Sequence, residues 1–200
     1  FTLPHHIWGD GKGTIYVCDR ESKRVELFDG GGGYLDELSD RYWPGLLWPN
    51  VACVDPSGAV VVAEAGHRVS IWRRTGEAVR SLIKTPGSRW QLLARWGDLG
   101  SEPGQFLDCP HGLCLDPAGS IYVSEYDNHR VQKFNSNGMW LSRIGVTQVP
   151  YAPDTIRYNT PYGITVAADG SIYFVESWGR RLVKIHASGV QQWAVGQAGV

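Results

Sequence analysis

The 200-residue sequence lacks the features that mark several protein classes. It has no apolar run close to the roughly 20 residues that cross a bilayer, and its start shows no basic segment followed by an apolar core. We therefore expect neither a membrane anchor nor an uncleaved signal peptide. The 19 basic and 20 acidic residues give a formal net charge of −1. This balance disfavours a nucleic-acid partner, which a concentrated positive field would attract. A basic cluster keeps RNA open as an alternative: Arg73, Arg74, Arg80 and Lys84.

Cysteine is scarce, and the four cysteines form no CxxC pair: Cys18, Cys53, Cys109 and Cys114. We therefore expect buried free thiols. Free thiols favour a reducing compartment such as the cytoplasm, with a secreted mature chain as the alternative. In contrast, glycine is abundant at 25 residues, and there are nine tryptophans and nine tyrosines. This composition fits many short strands joined by tight turns, so we expect an all-β fold.

Four segments of the chain repeat one pattern. Each begins with a proline, and the prolines are 45, 61 and 51 residues apart: Pro4, Pro49, Pro110 and Pro161. Nine residues after each proline stands a glycine: Gly13, Gly58, Gly119 and Gly170. Fifteen residues after it stands an acid: Asp19, Glu64, Glu125 and Glu176. About twenty residues after it stands an arginine. The arginines are Arg24, Arg68, Arg130 and Arg181.

Short β-type runs such as Ile15-Tyr16-Val17 and Val60-Val61-Val62 lie between these markers. They are apolar on both faces, which is typical of strands packed between neighbouring sheets. The stretch Asp55-Pro56-Ser57-Gly58 has the proline and glycine that a type I turn prefers. Four-stranded units that recur every ~40–50 residues are typical of β-propeller blades. We therefore predict one all-β domain, residues 1–200, with antiparallel blades near 3–38, 48–96, 109–145 and 160–196.

The third segment resembles an NHL repeat, and such repeats cover the chain. The resemblance rests on Pro110-His111-Gly112-Leu113, Gly119-Ser120-Ile121-Tyr122-Val123 and Asn128-His129-Arg130-Val131. It implies that the acid and the arginine of each blade pair with each other, which is a structural role. Four blades could close as a ring or form part of a larger, six-bladed propeller. In the second case the open blade edges would pair with another chain, because bare strand edges tend to aggregate.

One face of this propeller should carry the function. The residue after each proline begins the innermost strand, so four side chains should converge at the mouth of the central channel: His5, Asn50, His111 and Tyr162. The loops after the acids add Arg20, Tyr126, Asp127 and Trp178 to the same face. The connections between blades, around 38–48, 97–109 and 146–160, also vary in length on this face. Long loops on a rigid scaffold commonly hold binding residues. We call this side the loop face, and the side of the tight glycine turns the turn face.

Two imidazoles that face each other across the channel mouth, His5 and His111, suit zinc or another ion that prefers nitrogen ligands. The alternative is that both rings are hydrogen-bonding caps of the channel without a metal.

A more specific resemblance covers parts of the first and third blades. Leu3-Pro4-His5-His6-Ile7 with Cys18-Asp19-Arg20-Glu21-Ser22, and Gly104-Gln105-Phe106 with Pro110-His111-Gly112, are similar to blades of the peptidyl-α-hydroxyglycine α-amidating lyases and their bacterial relatives. The resemblance implies a zinc-dependent propeller that cleaves a carbinolamide to an amide and glyoxylate. It assigns His5 and His111 to zinc and Arg20 to the active site, and it implies calcium as a further ion. Tyr126 and Tyr162 are the candidates for the catalytic tyrosine.

Three functions remain open. A metal-dependent lyase would act on a small anionic or peptide-like substrate, with Asn50, Asp127 and Trp178 as binding residues. A non-catalytic scaffold would bind a protein or glycan through aromatic side chains on the loop face. These are Tyr42, Trp43, Trp48, Trp90, Trp96, Tyr126, Tyr151, Tyr158 and Trp178. A sugar-lactone hydrolase of the related six-bladed type, which Asn50 would fit, ranks last.

Overall fold

The structure, a computed structural model, describes residues 1–39, 45–75, 89–145 and 158–196. In these ranges it contains sixteen β-strands and no helix, which confirms the predicted all-β class. The strands form four antiparallel sheets of four strands each, as expected for propeller blades. In every sheet the strands follow chain order from one edge to the other. Within the described ranges there is also no helix long and apolar enough to span a bilayer.

The first two blades have the following bounds. Blade 1 contains β1 (Pro4–Gly9), β2 (Thr14–Asp19), β3 (Arg24–Asp29) and β4 (Tyr34–Ser39). Blade 2 contains β5 (Pro49–Val54), β6 (Val60–Glu64), β7 (Arg68–Arg74) and β8 (Trp90–Trp96).

The last two blades repeat the same order. Blade 3 contains β9 (Pro110–Leu115), β10 (Ile121–Glu125), β11 (Arg130–Phe134) and β12 (Trp140–Ile144). Blade 4 contains β13 (Pro161–Val166), β14 (Ile172–Glu176), β15 (Arg181–Ile185) and β16 (Gln191–Val195). Each blade thus begins at one of the four repeated prolines, and its second strand ends at the repeated acid.

Tight turns join the first and second strands of the blades. The Gly58 N–H donates to the Asp55 carbonyl at 2.9 Å, and Gly119 makes the same bond to Asp116. Gly58 has a φ of +86°, a left-handed conformation that glycine adopts without a steric penalty. The Asp55 carboxylate caps the turn by accepting from the Ala59 N–H at 2.8 Å. These bonds confirm the turns predicted from the Asp-Pro-x-Gly pattern.

The acid and the arginine of each blade pair as the repeat implies. The shortest distances are 3.5 Å for Arg24–Asp19, 2.8 Å for Arg68–Glu64, 2.6 Å for Arg130–Glu125 and 2.6 Å for Arg181–Glu176. In three blades the acid also accepts backbone N–H groups from the segment that enters the blade. The donors are Leu3 and Thr2 to Asp19, Leu47 to Glu64, and Asn159 to Glu176. In blade 3, Glu125 accepts instead from the side chains of Asn128 and Arg130.

Three apolar clusters form the core of the described residues, and each lies between neighbouring sheets. Cys18, Val25 and Leu38 of blade 1 share a cluster with Val60, Val62 and Trp72 of blade 2. Val61 and Ile71 of blade 2 share the next with Leu113, Val123 and Phe134 of blade 3. Tyr122, Val131 and Ile144 of blade 3 share the last with Ile172, Phe174 and Val183 of blade 4. The blades therefore pack in series, and both faces of blades 2 and 3 are covered.

The outward faces of the two terminal blades expose apolar side chains. On blade 1, Ile7 is 66% exposed and its strand partner Val17 is also partly exposed. On blade 4, Val175 is 43% and Val195 is 55% exposed. In β14, Val175 alternates with the core residues Ile172 and Phe174, so it points away from blade 3. These are the faces that a neighbouring blade covers elsewhere in the molecule.

The pair in blade 3 should contribute the most to stability. The Arg130 side chain is 1% and the Glu125 side chain 4% exposed, so Glu125→Ala leaves a guanidinium buried without its counter-charge. We expect the free energy of unfolding to fall by about 3–5 kcal/mol, measured by urea denaturation. Arg74→Ala is the control, because Arg74 pairs with Asp36 at 2.8 Å while 42% exposed. The control should cost less than about 1 kcal/mol, and equal losses would contradict the assignment.

Gly112 and Gly163 occupy the same slot in blades 3 and 4 but have different surroundings. A Cβ on Gly112 would collide with the Tyr162 carbonyl and the Ser124 hydroxyl, and would lie 3.0 Å from Ile164 Cγ2. A Cβ on Gly163 would meet Val175 Cγ2 at an ordinary 3.6 Å. We expect Gly112→Ala to lower the free energy of unfolding by roughly 1–3 kcal/mol through overpacking. Gly163→Ala should change it by less than about 0.5 kcal/mol. Thermal or chemical denaturation of both variants checks this, and a large loss in Gly163→Ala would mean that the outward face of blade 4 is covered.

Candidate functional site

The starts of the four innermost strands are tied together at the channel mouth. His5 Nδ1 lies 3.0 Å from the Asn50 carbonyl oxygen, which links blade 1 to blade 2. The Asn50 side-chain amide donates to the Pro110 carbonyl at 3.3 Å, which links blade 2 to blade 3. The Ser124 hydroxyl donates to the Tyr162 carbonyl, which links blade 3 to blade 4. Asn50 is fully buried, so its side chain is a fixed part of this wall.

Three of the predicted site residues form one aromatic group. The His111 ring centroid lies 4.9 Å from that of Tyr162 and 5.3 Å from that of Tyr126. The two tyrosine rings are 6.5 Å apart and nearly perpendicular, at 84°. Tyr162 follows Pro161 at the start of β13, while Tyr126 follows Glu125 at the end of β10. The structure thus brings the start of one strand and the end of another to the same place, as the repeat requires.

Arg20 places a positive charge beside this group. Its backbone N–H donates to the Leu3 carbonyl at 2.9 Å, which fixes the turn after β2. Its charge acts on both Cys109 and His111. Arg20 Nε is buried without a hydrogen-bond partner, and within the described ranges its guanidinium makes no ion pair. The four repeat arginines all have carboxylate partners, so Arg20 is a cation available to an anionic ligand.

His111 is held in its neutral form by its surroundings. Burial lowers the pKa of the imidazole, and the nearby charges of Asp108 and Asp127 oppose this shift only in part. His5 and Arg20 lower the pKa further. His111 Nδ1 is buried without a hydrogen-bond partner. A neutral imidazole keeps a nitrogen lone pair that can bind a metal or accept a proton.

Cys109 and Asp108 complete a group with His111. Cys109 Sγ lies 3.7 Å from His111 Nε2. One ligand atom from each of Asp108, Cys109 and His111 lies within 4.8 Å of the others. Burial raises the pKa of the Cys109 thiol, and the neighbouring charge of Asp108 raises it further. The sequence prediction missed both Asp108 and Cys109. The signal that could have found Cys109 is its position two residues before His111, since alternate residues of a strand share a face.

The remaining predicted residues lie further out. Asp127 is exposed and acts on His111 through its charge. Trp178 is 64% exposed, and its backbone N–H donates to Thr160 Oγ1 at 2.8 Å. In the described part of the chain no ring contact or hydrogen bond joins the Trp178 side chain to the aromatic group. His5 is exposed and lies outside the group formed by Asp108, Cys109 and His111.

The aromatic loop face predicted for a scaffold is smaller than expected. Trp90 and Tyr158 are 5% and 2% exposed and belong to the core clusters, so the prediction that they lie at the rim is wrong. Trp48 is 39% exposed, with Lys23 Nζ 5.2 Å from its ring centre. Tyr42, Trp43 and Tyr151 lie outside the described residues, as do Arg80 and Lys84 of the basic cluster. Arg74 of that cluster is paired with Asp36.

Two cavities of about 530 and 480 Å³ open on the turn face rather than the loop face. The second lies where the ends of all four innermost strands meet, and Asp10, Asp55 and Asp116 contribute to its wall. Each of these carboxylates is already engaged by backbone N–H groups of its own turn. The cavities therefore favour the turn face as a binding site. Charged and polar groups without a hydrogen-bond partner, such as Arg20 Nε and His111 Nδ1, lie instead at the channel mouth. We therefore take the mouth as the candidate site, because function depends on the chemistry of a site rather than on cavity size.

Comparison with known proteins supports the NHL-type repeat inferred from the sequence. Residues 107–134, which include Cys109, His111 and Tyr126, match the model of the NHL repeat. The chain is 28% identical over 153 residues to the protein brain tumor of Drosophila melanogaster, an alignment that covers 74% of this chain and 13% of that protein. It is 32% identical over 75 residues to human NHL repeat-containing protein 3, covering 37% of this chain and 21% of that protein. The chain thus spans a small part of both curated relatives.

Among solved structures, a streptogramin B lyase superimposes with a TM-score of 0.65 at 14% identity. The superposition covers 96% of this chain and 54% of the lyase chain, so the blades described here correspond to about half of that structure. At this identity the likeness shows the fold alone. Together the sheet order, the paired acids and arginines and the matched segment establish that this chain is a β-propeller of four-stranded blades that carries an NHL repeat.

Proposed function

We propose that the protein binds a small anionic or peptide-like substrate at the channel mouth and acts on it as a metal-dependent, lyase-like enzyme. The observation that carries this proposal is the convergence of His111, Tyr126 and Tyr162 beside an arginine that has no carboxylate partner among the described residues. A histidine with a lowered pKa, set among polar side chains that converge from different strands, is typical of reaction sites.

Arg20 would bind the anionic end of the substrate. A guanidinium presents paired N–H donors that match a carboxylate, and such charge-assisted bonds are stronger than neutral ones. The exposed rings of the mouth, among them Tyr162 at 38% exposure, would contact the uncharged part. Asp127 lines the approach as a binding residue, and Trp178 contributes an exposed ring further out. Asn50, predicted as a binding residue, is fully buried and instead fixes the wall of the mouth.

The residues present fit a zinc ion. His5 Nδ1 faces the Asn50 carbonyl, so it carries the proton and leaves Nε2 as a free ligand atom. The neutral His111 ring offers a second nitrogen, and these nitrogen donors suit zinc. Calcium prefers about six to eight oxygen ligands, which this group does not supply. Bound zinc would act as a Lewis acid on a substrate oxygen.

The chemistry we propose is the cleavage of the N–Cα bond in a carbinolamide. The phenol of Tyr126 or Tyr162 would relay a proton: its oxygen takes the proton of the substrate hydroxyl while its own proton passes to the amide nitrogen, so the tyrosine ends unchanged. The electron pair of the O–H bond becomes the second bond of the glyoxylate carbonyl, and the N–Cα electron pair leaves with the amide nitrogen. Arg20 holds the carboxylate during this step, so the substrate stays aligned with the tyrosines.

A second candidate is a non-catalytic scaffold for a protein partner. The exposed apolar faces of blades 1 and 4 favour it, because such faces mark interaction sites. A second copy of the chain would be one such partner, and it would cover these faces. A scaffold needs neither His5 nor His111, so partner binding that survives His5→Ala together with His111→Ala supports the scaffold over the enzyme.

Zinc content tests the enzyme directly. We expect the freshly purified protein to hold close to one equivalent of zinc by elemental analysis, because imidazole nitrogens are ligands that zinc prefers. His111→Ala should reduce the metal to trace amounts. His186→Ala is the matched control, since His186 is an exposed turn residue whose ring bonds to Ser188. Trace zinc in the unaltered protein, even after incubation with the ion, would contradict the metal-dependent proposal.

The role of Arg20 is tested with an N-acyl-α-hydroxyglycine such as benzoyl-α-hydroxyglycine. Loss of a hydrogen bond to a charged group costs about 1.5–3 kcal/mol, so Arg20→Gln should lower kcat/KM by roughly 10–150-fold. Arg20→Lys should lie between the two, because lysine keeps the charge but not the paired donors. Arg73→Gln, which alters an exposed arginine at the turn-face cavity, should leave the rate unchanged. Glyoxylate release measures the rate, and an Arg20→Gln rate equal to that of the unaltered protein would remove Arg20 from the site.

A further inference from the structure

The start of blade 3 carries a set of donor atoms that the other blades lack. Cys109 Sγ lies 3.7 Å from His111 Nε2, and a carboxylate oxygen of Asp108 completes a group within 4.8 Å. The three residues come from a single stretch, Asp108-Cys109-Pro110-His111. Cys109 is buried, whereas Asp108 reaches solvent.

We propose that Asp108, Cys109 and His111 are the protein ligands of a zinc ion at the channel mouth, with Cys109 bound as a thiolate. The inference rests on the proposed function in one respect, that this mouth binds a metal. It differs in the ligand set, because a sulfur and a carboxylate replace His5. His5 remains bonded to the Asn50 backbone and supports the wall of the site.

The observed spacing fits a tetrahedral ion. Zinc binds a thiolate at about 2.3 Å and an imidazole nitrogen at about 2.0–2.1 Å. At the tetrahedral angle these lengths separate sulfur and nitrogen by roughly 3.5 Å. The distance of 3.7 Å between Cys109 Sγ and His111 Nε2 is close to that value, so binding needs little movement of either side chain.

The local backbone explains why these two side chains meet. Cys109 and His111 flank Pro110, the first residue of β9, and alternate residues of an extended segment share a face. The ring of Pro110 fixes its φ and so stiffens the link between the two ligands. Gly112 follows directly, and its missing side chain allows β13 to pack against this point of β9. The pair is therefore held by the packing of two blades.

Comparison of the four repeats shows that the donor pair is specific to blade 3. The residues before and after the repeated proline are Leu3 and His5 in blade 1, and Trp48 and Asn50 in blade 2. In blade 4 they are Thr160 and Tyr162. Blade 3 alone has a metal-binding side chain in both slots. A repeat that needed only packing there would have no use for a thiol, an imidazole and a carboxylate together.

The surroundings complete a site with one open position. The Asn50 side-chain amide donates to the Pro110 carbonyl at 3.3 Å, which holds the backbone between Cys109 and His111. Thiolate and imidazole donors select zinc over the harder calcium and magnesium ions. Three protein ligands leave a fourth position for water or substrate, as in catalytic zinc sites. Arg20 lies near enough to act on both Cys109 and His111, so an anion bound at that position would be neutralised.

Cobalt(II) substitution tests the thiolate directly. Titration of the metal-free protein with Co²⁺ should produce tetrahedral d–d bands and a near-ultraviolet sulfur-to-cobalt charge-transfer band. Cys109→Ala should lose the charge-transfer band and bind zinc, measured by calorimetry, more than about 100-fold more weakly. That loss exceeds the roughly 10–100-fold effect of removing a hydrogen-bond partner of a ligand. Cys114→Ala is the matched control, because Cys114 lies in β9 at the turn-face cavity, and it should keep both the band and the affinity. Asp108→Asn, an exposed change that spares the fold, should weaken zinc binding while the charge-transfer band persists.

The outcomes separate this inference from the proposed function. A cobalt spectrum without a charge-transfer band, together with metal binding that depends on His5, would overturn the thiolate site and leave the lyase proposal standing. A charge-transfer band in a protein that cleaves no N-acyl-α-hydroxyglycine would support the site and remove the lyase. Absence of any metal binding would overturn both. Rapid alkylation of Cys109 that zinc does not slow would also overturn the inference, since it indicates a free thiol beside His111.

Discussion

The carboxylate at the end of each second strand is the interaction on which the rest of the structure depends. It is bound by the arginine that begins the third strand, and in three blades it also receives N–H groups from the residues that lead into the first strand. One acid therefore fixes two strands and the incoming connection at once. Since the first strand begins directly after that connection, the acid sets where the residues after the repeated prolines lie. The channel mouth is thus positioned by the acid–arginine pairs of the repeat.

This arrangement explains why the two faces of the propeller differ. On the turn face, the turns between the first and second strands of blades 2 and 3 have the same length. The carboxylates of Asp55 and Asp116 cap these turns. These groups are committed to local structure. On the loop face, Arg20 and His111 keep nitrogen atoms without partners, although both are partly buried. A polar atom left unpaired in a buried place costs free energy, so a ligand that pairs with it gains affinity. These unpaired atoms are the reason for proposing the binding site on the loop face, although two cavities open on the turn face.

Much of the fold could be predicted from the sequence, because a repeat fixes spacing and spacing fixes position. The four prolines, glycines, acids and arginines located the blades, the turns and the ion pairs, and they placed His111 and Tyr162 close together. Cys109 was missed, since cysteines were judged by CxxC spacing, whereas Cys109 and His111 are separated by a single residue of an extended segment. Trp90 and Tyr158 were misplaced for another reason. Whether an aromatic side chain at the end of a connection turns into the core depends on the space between two sheets, which the repeat does not specify. The exposed outward faces of blades 1 and 4 likewise follow from how the sheets stack.

Blade 3 departs from its neighbours in a way that links stability to the site. Arg130 is fully buried, and besides Glu125 it donates to the carbonyls of Ser101 and Gln105. It therefore holds the long connection that leads to Asp108 and Cys109, a task that the acid performs in the other blades. Arg130 anchors the early part of this connection, and β9 anchors its end. The residues between these two anchors can therefore change without moving Asp108 and Cys109. The group of Asp108, Cys109 and His111 then keeps its geometry, because the residues that hold it, such as Arg130, lie in the core. A mutation of those core residues would first lower the stability of the fold. The connection from β8 to β9 is for that reason firmly anchored.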